Sequence, residues 1–163
     1  MQGLPSSIAI HLFSLSIFVV LCYDKEKELI ALKIIVCIDK NNGMMFNRRR
    51  QSRDRLVIED LEKHLGGKTL WIAPYSEPLF KDSGIQYAVS EDPLASAADG
   101  YCFLEDRSPA AQLPITEAIL YHWNRTYPAD LTFDFDMKAF KKQSTANFPG
   151  SSHDKITKEI WKK

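Results

Sequence analysis

The sequence predicts an α/β domain built on an open, mixed, mostly parallel sheet. Three observations carry this. The composition, 45% apolar and 26% charged over 163 residues, is that of a globular chain of one domain. Short apolar, β-branched runs recur at Ile34–Ile38, Leu70–Ala73 and Tyr101–Leu104, separated by a helical segment or a short crossover. The later runs follow one another without helices between them, which suits an antiparallel edge.

The first 31 residues stand apart. Residues 8–22 are apolar but broken by His11, Ser14 and Ser16. They are shorter than the about 20 residues of a membrane span, and Met1–Ser7 lacks the basic flank of a signal peptide. Three readings stay open for this extension: upstream sequence foreign to the native protein, with Leu32 as an alternative start; an anchor or uncleaved signal; or a packed helix. The α/β domain then covers 32–163. It is expected in the bacterial cytoplasm, or on a membrane if residues 8–22 are an anchor.

Lys33–Asp39 reads as a buried strand closed by the Asn41-Asn42-Gly43 turn. Met44–Gln51 reads as loop. Ser52 is placed to cap a helix running to about Leu65, whose Leu56, Val57, Leu61 and Leu65 share one face. Gly66-Gly67 stops it. Thr69–Ala73 is a second strand, Pro74–Gly84 a turn with a short helix, and Ile85–Ser90 a third strand. Pro93–Asp99 is a loop or short helix and Tyr101–Leu104 a fourth strand. Ile119–Asn124 and Leu131–Phe135 read as two more. Ala139–Lys163 holds a strand, the Pro149-Gly150 turn, and a final helix or strand.

Charge excludes some functions. Lys+Arg 21 equals Asp+Glu 21, so there is no strong nucleic-acid signal. The balance is local, however: residues 77–136 hold 11 Asp+Glu against 3 Lys+Arg, and residues 138–163 hold 7 Lys+Arg against 2 Asp+Glu. The cysteines Cys22, Cys37 and Cys102 are too few for a disulfide framework, and the last two lie in apolar strands as inert packing residues. His11, His64, His122 and His153 are scattered without metal-ligand spacing, so no metal site is expected. There is no Gly-x-Ser-x-Gly elbow, dinucleotide glycine fingerprint or P-loop.

The most distinctive run is Asn47-Arg48-Arg49-Arg50-Gln51-Ser52-Arg53-Asp54-Arg55. Arginine at a helix start opposes the helix dipole, so helix stability does not explain the cluster. Its forks suit phosphate or carboxylate, whether on a ligand or on the acidic 77–136 region within the fold or a dimer. Asp54 is a candidate acid or a first-turn structural residue. Trp123, in the aromatic run Tyr121–Asp130, and His153, in the turn Phe148–His153, are candidate ligand contacts or packing and capping residues.

The order of these segments resembles that of dihydrofolate reductases. Ile34–Met44 is similar to that family's opening strand and turn. Asp54, Thr69–Ala73 and Tyr75-Ser76 follow in its order, and Ala118–Phe135 and Ser152–Lys163 are similar to its late strand and closing hairpin. The resemblance covers about 33–163 and favours a strand for the last element. It implies Asp54 as proton-relay acid, Ser76 as phosphate contact and NADPH as cofactor. The family's Gly-Gly pair is replaced by Glu105-Asp106, which disfavours that cofactor, and Arg48-Arg49-Arg50 stands where its loop has Pro-Trp. The runs Asn42–Asp54, Tyr121–Asp130 and Gly150–Thr157 are also similar to a group of short uncharacterised bacterial proteins, some labelled ribonuclease Z. The zinc cluster of that enzyme, His-x-His-x-Asp-His, has no counterpart here.

Three functional expectations follow. The first is a noncatalytic or cryptic module binding an anionic ligand through Arg48, Arg49, Arg50 and Arg53, with Ser76, Trp123 and His153 nearby. The second is a degenerate NADPH-dependent reductase with Asp54 as acid. The third is an interaction protein, possible as a homodimer, that docks its arginines on an acidic protein surface.

Overall fold

The computed structural model describes residues 31–163. The run 8–22, with the readings of the extension, lies outside the described residues. Ten strands and three short helices follow in order: β1 (Leu32–Ile38), β2 (Gly43–Phe46), β3 (Arg49–Arg50), α1 (Arg55–Leu65), β4 (Leu70–Ile72), α2 (Glu77–Phe80), β5 (Tyr87–Val89), α3 (Pro93–Ala97), β6 (Tyr101–Leu104), β7 (Ile115–His122), β8 (Leu131–Thr132), β9 (Lys141–Phe148) and β10 (Ile156–Lys162).

Seven strands form the main sheet, in the order β5-β4-β6-β1-β7-β10-β9. The first five are parallel; β10 runs antiparallel to both β7 and β9. This is the mixed, mostly parallel sheet expected, with its antiparallel edge. The near-continuous apolar run of β1 reflects burial on both faces. Ile34, Val36 and Ile38 point to one side, with α3, Phe133 and Phe140. Ile35 points to the other, where Val57, Leu61 and Leu65 of α1 pack with Phe80 and Phe103. The Tyr121 hydroxyl and the Lys158 ammonium both donate to Asp60, at 2.6 and 2.7 Å, tying α1 to the sheet.

Three local expectations are corrected, and a fourth, left open between helix and strand, is decided. Residues 43–50 are not loop but a hairpin, β2 pairing β3 through Met45↔Arg50 and Phe46↔Arg49. Its two turn residues, Asn47 and Arg48, have φ of 49° and 58°, the mirror-type turn that suits strand twist. The usual Asn-Gly signature is missing because Arg48 takes the glycine position. The cap of α1 is Asp54, not Ser52: its backbone is extended and its side chain accepts from Leu56 N. Gly66, at φ 55°, ends the helix as expected. The segment after Pro128 adds only Leu131–Thr132, and it joins β2 in a small second sheet, β3-β2-β8, rather than the main one. The last element is a strand: every residue of β10 pairs with β9 or β7, which outweighs the helical spacing of Ile156 and Ile160. Among the described residues, no helix is long and apolar enough to cross a membrane.

Candidate functional site

The site lies beyond the carboxyl end of β1, where three loops converge. Asp39 organises them. It is buried, and its Oδ1 accepts from Asn41 N and Gly43 N at 2.8 and 2.7 Å. Its Oδ2 accepts from Gln51 Nε2 and Tyr127 N at 3.1 and 3.0 Å. Burial alone would raise this carboxyl, but the hydrogen bonds from Tyr127, Gly43, Asn41 and Gln51 outweigh it and hold it below its ordinary value.

Asp54 is the second fixed anion. Its side chain is fully enclosed. Oδ1 accepts from Leu56 N (3.0 Å), Ser151 N (2.8 Å) and Ser151 Oγ (3.0 Å). Oδ2 lies 2.9 Å from Ser152 N, 3.1 Å from Ser152 Oγ and 2.9 Å from His153 Nδ1. Burial raises this carboxyl too, and the bonds from His153, Ser151 and Ser152 overcome it, leaving the group far below the usual carboxylate range. Held in this way, the Asp54 carboxyl favours its ionised form. Gly150 makes room for it: a Cβ there would run into the Asp54 carboxylate and meet His153 O at 2.9 Å.

His153 links this anion to the cleft. Nδ1 faces the Asp54 carboxylate, an arrangement that favours the proton on Nδ1 and leaves Nε2 turned to the hydroxyls. Nε2 lies 3.1 Å from both Ser52 Oγ and Tyr127 OH. The indole of Trp123 stacks on the imidazole at 4.7 Å and 18°. Trp123 is buried beneath the site and lines no part of this cleft. The runs 42–54, 121–130 and 150–157, distant in sequence, thus meet around one imidazole.

The arginines divide. Arg50 Nε and Nη2 clamp Glu105 at 3.2 and 2.9 Å; its Nη2 also donates to Tyr75 O, and the guanidinium sits over the Tyr75 ring. Ser76 is buried and donates to Glu105 at 2.8 Å, so it faces the protein rather than a cleft. Burial raises the Glu105 carboxyl, and Arg50 and Ser76 offset this only in part. Arg48 projects from the hairpin turn, exposed. Arg49 and Arg53 are exposed and, among the described residues, form no ion pair with a carboxylate. With Arg50, Ser52, Pro74, Tyr75 and Pro78 they line an open cleft of about 910 Å³.

Of the residues expected from sequence, Arg49, Arg50 and Arg53 share this cleft, Asp54 and His153 pair beneath it, and Ser76, Trp123 and Arg48 lie elsewhere. The sequence alone offers Tyr127, Ser151 and Ser152 only as members of the runs 121–130 and 148–153, Ser52 as a helix cap, and Asp39 as the end of a strand. The spacing Ser52-x-Asp54 was visible, but nothing local announces a histidine 101 residues away from Ser52. Cys102 is buried, its thiol pushed up to about 12 chiefly by burial, in keeping with an inert packing role. Among the described residues, no three His, Cys, Asp or Glu side chains gather to hold a metal ion.

No protein-family model and no curated protein matches the chain. Among solved structures it is similar to a dihydrofolate reductase from Enterococcus faecalis complexed with NADP(H) and RAB-propyl. The two share a TM-score of 0.53 and 12% identity over 82% of this chain and 96% of that one. The fold is therefore dihydrofolate-reductase-like, and at this identity the likeness speaks for the fold alone.

The segment after β6 differs from the glycine pair of that family in the groups it offers. Glu105 and Asp106 directly follow β6, and the Glu105 carboxylate is already spent on Arg50 and Ser76. The connection from Glu105 to Pro114 contains no helix, so no helix N-terminus faces a pyrophosphate there.

Proposed function

We propose that this chain binds an anionic small molecule in the cleft between the β2–β3 hairpin and the Pro74–Pro78 segment. One observation carries the reading: Arg49 and Arg53 reach this cleft without a carboxylate partner, whereas Arg50 beside them is consumed by Glu105. Two unpaired guanidinium groups lining one cleft suit a phosphate or carboxylate group. The surface Arg48 and the acidic excess of residues 77–136 favour a second reading, in which the same face docks an acidic protein surface or a second copy.

Thermal unfolding with inorganic pyrophosphate, and separately with NADPH, tests this. Pyrophosphate should raise the melting temperature, and the double replacement Arg49→Ala with Arg53→Ala should remove the rise. At a ligand concentration one hundred times Kd the stabilisation is about 2.7 kcal/mol. An equal rise in the double variant would refute the assigned contacts. A rise with NADPH alone would favour a degenerate reductase. Self-association lost on replacing Arg48, Arg49 and Arg53 would favour docking.

A further inference from the structure

We propose that Ser52, His153 and Asp54 form an acyl-transfer relay that hydrolyses a carboxylic ester bearing an anionic group, with Ser52 as the nucleophile. The anionic character of the ester rests on the arginine reading above; the choice of nucleophile does not. The geometry is that of a hydroxyl, an imidazole and a carboxylate in series. Ser52 Oγ is 3.1 Å from His153 Nε2, and His153 Nδ1 is 2.9 Å from Asp54 Oδ2. These distances place nucleophile, base and orienting group within hydrogen-bond reach.

Burial is graded as such a relay needs. The Asp54 and His153 side chains are 0% and 1% exposed, while Ser52 is half-buried and lines the cleft. The carboxylate is fixed from five further directions by backbone and hydroxyl groups of Leu56, Ser151 and Ser152, and the imidazole is fixed by the Trp123 stack. Asp54 caps α1, whereas Ser52, two residues earlier, takes no part in that cap and turns to the imidazole instead. Tyr127 OH, also 3.1 Å from Nε2, shares that nitrogen's single lone pair with Ser52 Oγ and must give way when Ser52 transfers its proton.

The step balances with water as the only co-reactant. Ser52 Oγ bonds to the acyl carbon as its proton moves to Nε2. The carbon–oxygen bond to the leaving alcohol breaks, and that oxygen takes the proton from Nε2. Water then adds to the acyl carbon, giving a proton to Nε2; the bond to Oγ breaks, Oγ recovers the proton, and the free acid departs. Arg49 and Arg53 hold the anionic group of the ester. Asp54 is a positioning residue that keeps Nε2 able to accept.

A fluorophosphonate probe tests the nucleophile, with the adduct mapped by peptide mass spectrometry on the unaltered chain, so the result does not depend on a variant folding. The expected adduct is on Ser52. It should vanish in Ser52→Ala and on unfolding in urea. Absence of an adduct, or an adduct confined to other serines, overturns the relay. In Asp54→Asn the labelling rate should fall by about a hundredfold or more and its pH profile should shift; an unchanged rate and profile overturn the positioning role. p-Nitrophenyl succinate should be turned over with a lower KM than p-nitrophenyl acetate, and Arg49→Ala with Arg53→Ala should erase that difference. Ser52 labelling without this preference overturns the anionic substrate class while the nucleophile stands. Absence of pyrophosphate binding by the unaltered chain, with Ser52 labelling intact, refutes the arginine reading separately.

Discussion

Replacing Asp54 by Asn probes the anion on which both the helix and the cleft depend. The amide keeps the shape and one acceptor. If its oxygen stays on the Ser151 and Leu56 side, its NH2 faces Ser152 N–H and His153. The imidazole can answer by changing tautomer, but the Ser152 amide is stranded, at a cost of about 1–3 kcal/mol. Loss of charge at the first turn of α1 adds about 0.3–1 kcal/mol, and the remaining bonds lose their charge assistance. The sum is about 3 kcal/mol, a large share of the about 5–15 kcal/mol of a typical domain. Urea unfolding at pH 7 measures it; with a slope of about 2 kcal/mol per molar the midpoint falls by about 1.5 M. The deficit has a pH signature. Folding holds the Asp54 carboxyl below its unfolded value. Its stabilisation is therefore complete above about pH 3.9 and is lost as the pH falls through the folded value. The gap between the two proteins should narrow only below that point. A deficit under about 1 kcal/mol at pH 7, or one unchanged by acid, would refute an ionised, fully bonded Asp54.

Two other perturbations follow from the hairpin. Arg50→Ala strands the buried Glu105 carboxylate and should cost about 3–5 kcal/mol at neutral pH by urea unfolding. Glu105 is already raised in the folded protein and rises further without Arg50. The variant's stability is thus lost as pH rises through that value, and its deficit should shrink at a higher pH than that of Asp54→Asn; a pH-independent deficit would contradict the pairing. Arg48→Gly should raise stability by about 1 kcal/mol, because glycine relieves the left-handed backbone. A loss would show that the Arg48 side chain contributes more than its backbone costs.

Sequence periodicity suffices where burial is two-sided and local. The run Ile34–Ile38, the Val57-Leu61-Leu65 face and the Gly66 stop each read directly as their element. It fails where partners are distant. The β2–β3 hairpin hides because Asn47-Arg48 lacks the glycine by which such turns are read. β10 looks half helical until β9 and β7 claim its hydrogen bonds on both sides. At the site, Asp54 and His153 were each visible as polar residues at an element boundary, but their pairing is a tertiary fact. Ser52, read as a helix cap, yields that role to Asp54 and turns to the imidazole. The departure at Glu105 was legible as a missing glycine, yet its clamp on Arg50 was not. That clamp removes one of the expected anion contacts.

The Gly150–His153 turn, which supplies most of the partners of Asp54, sits between β9 and β10, which follow β1 through β7 in the chain. Order of synthesis follows from this. A nascent chain that has already formed β1 through β7 still carries Asp54 bonded to Leu56 N alone, without Ser151, Ser152 and His153, and α1 without its tie to Lys158. Closure of the β9–β10 hairpin must therefore follow them, and it completes the Asp54 carboxylate's set of donors, the sheet edge and the imidazole network in one event. Contacts spanning about a hundred residues are slow to form. Refolding should accordingly show His153 stacking on Trp123, visible as indole quenching, in step with the final phase rather than with early collapse.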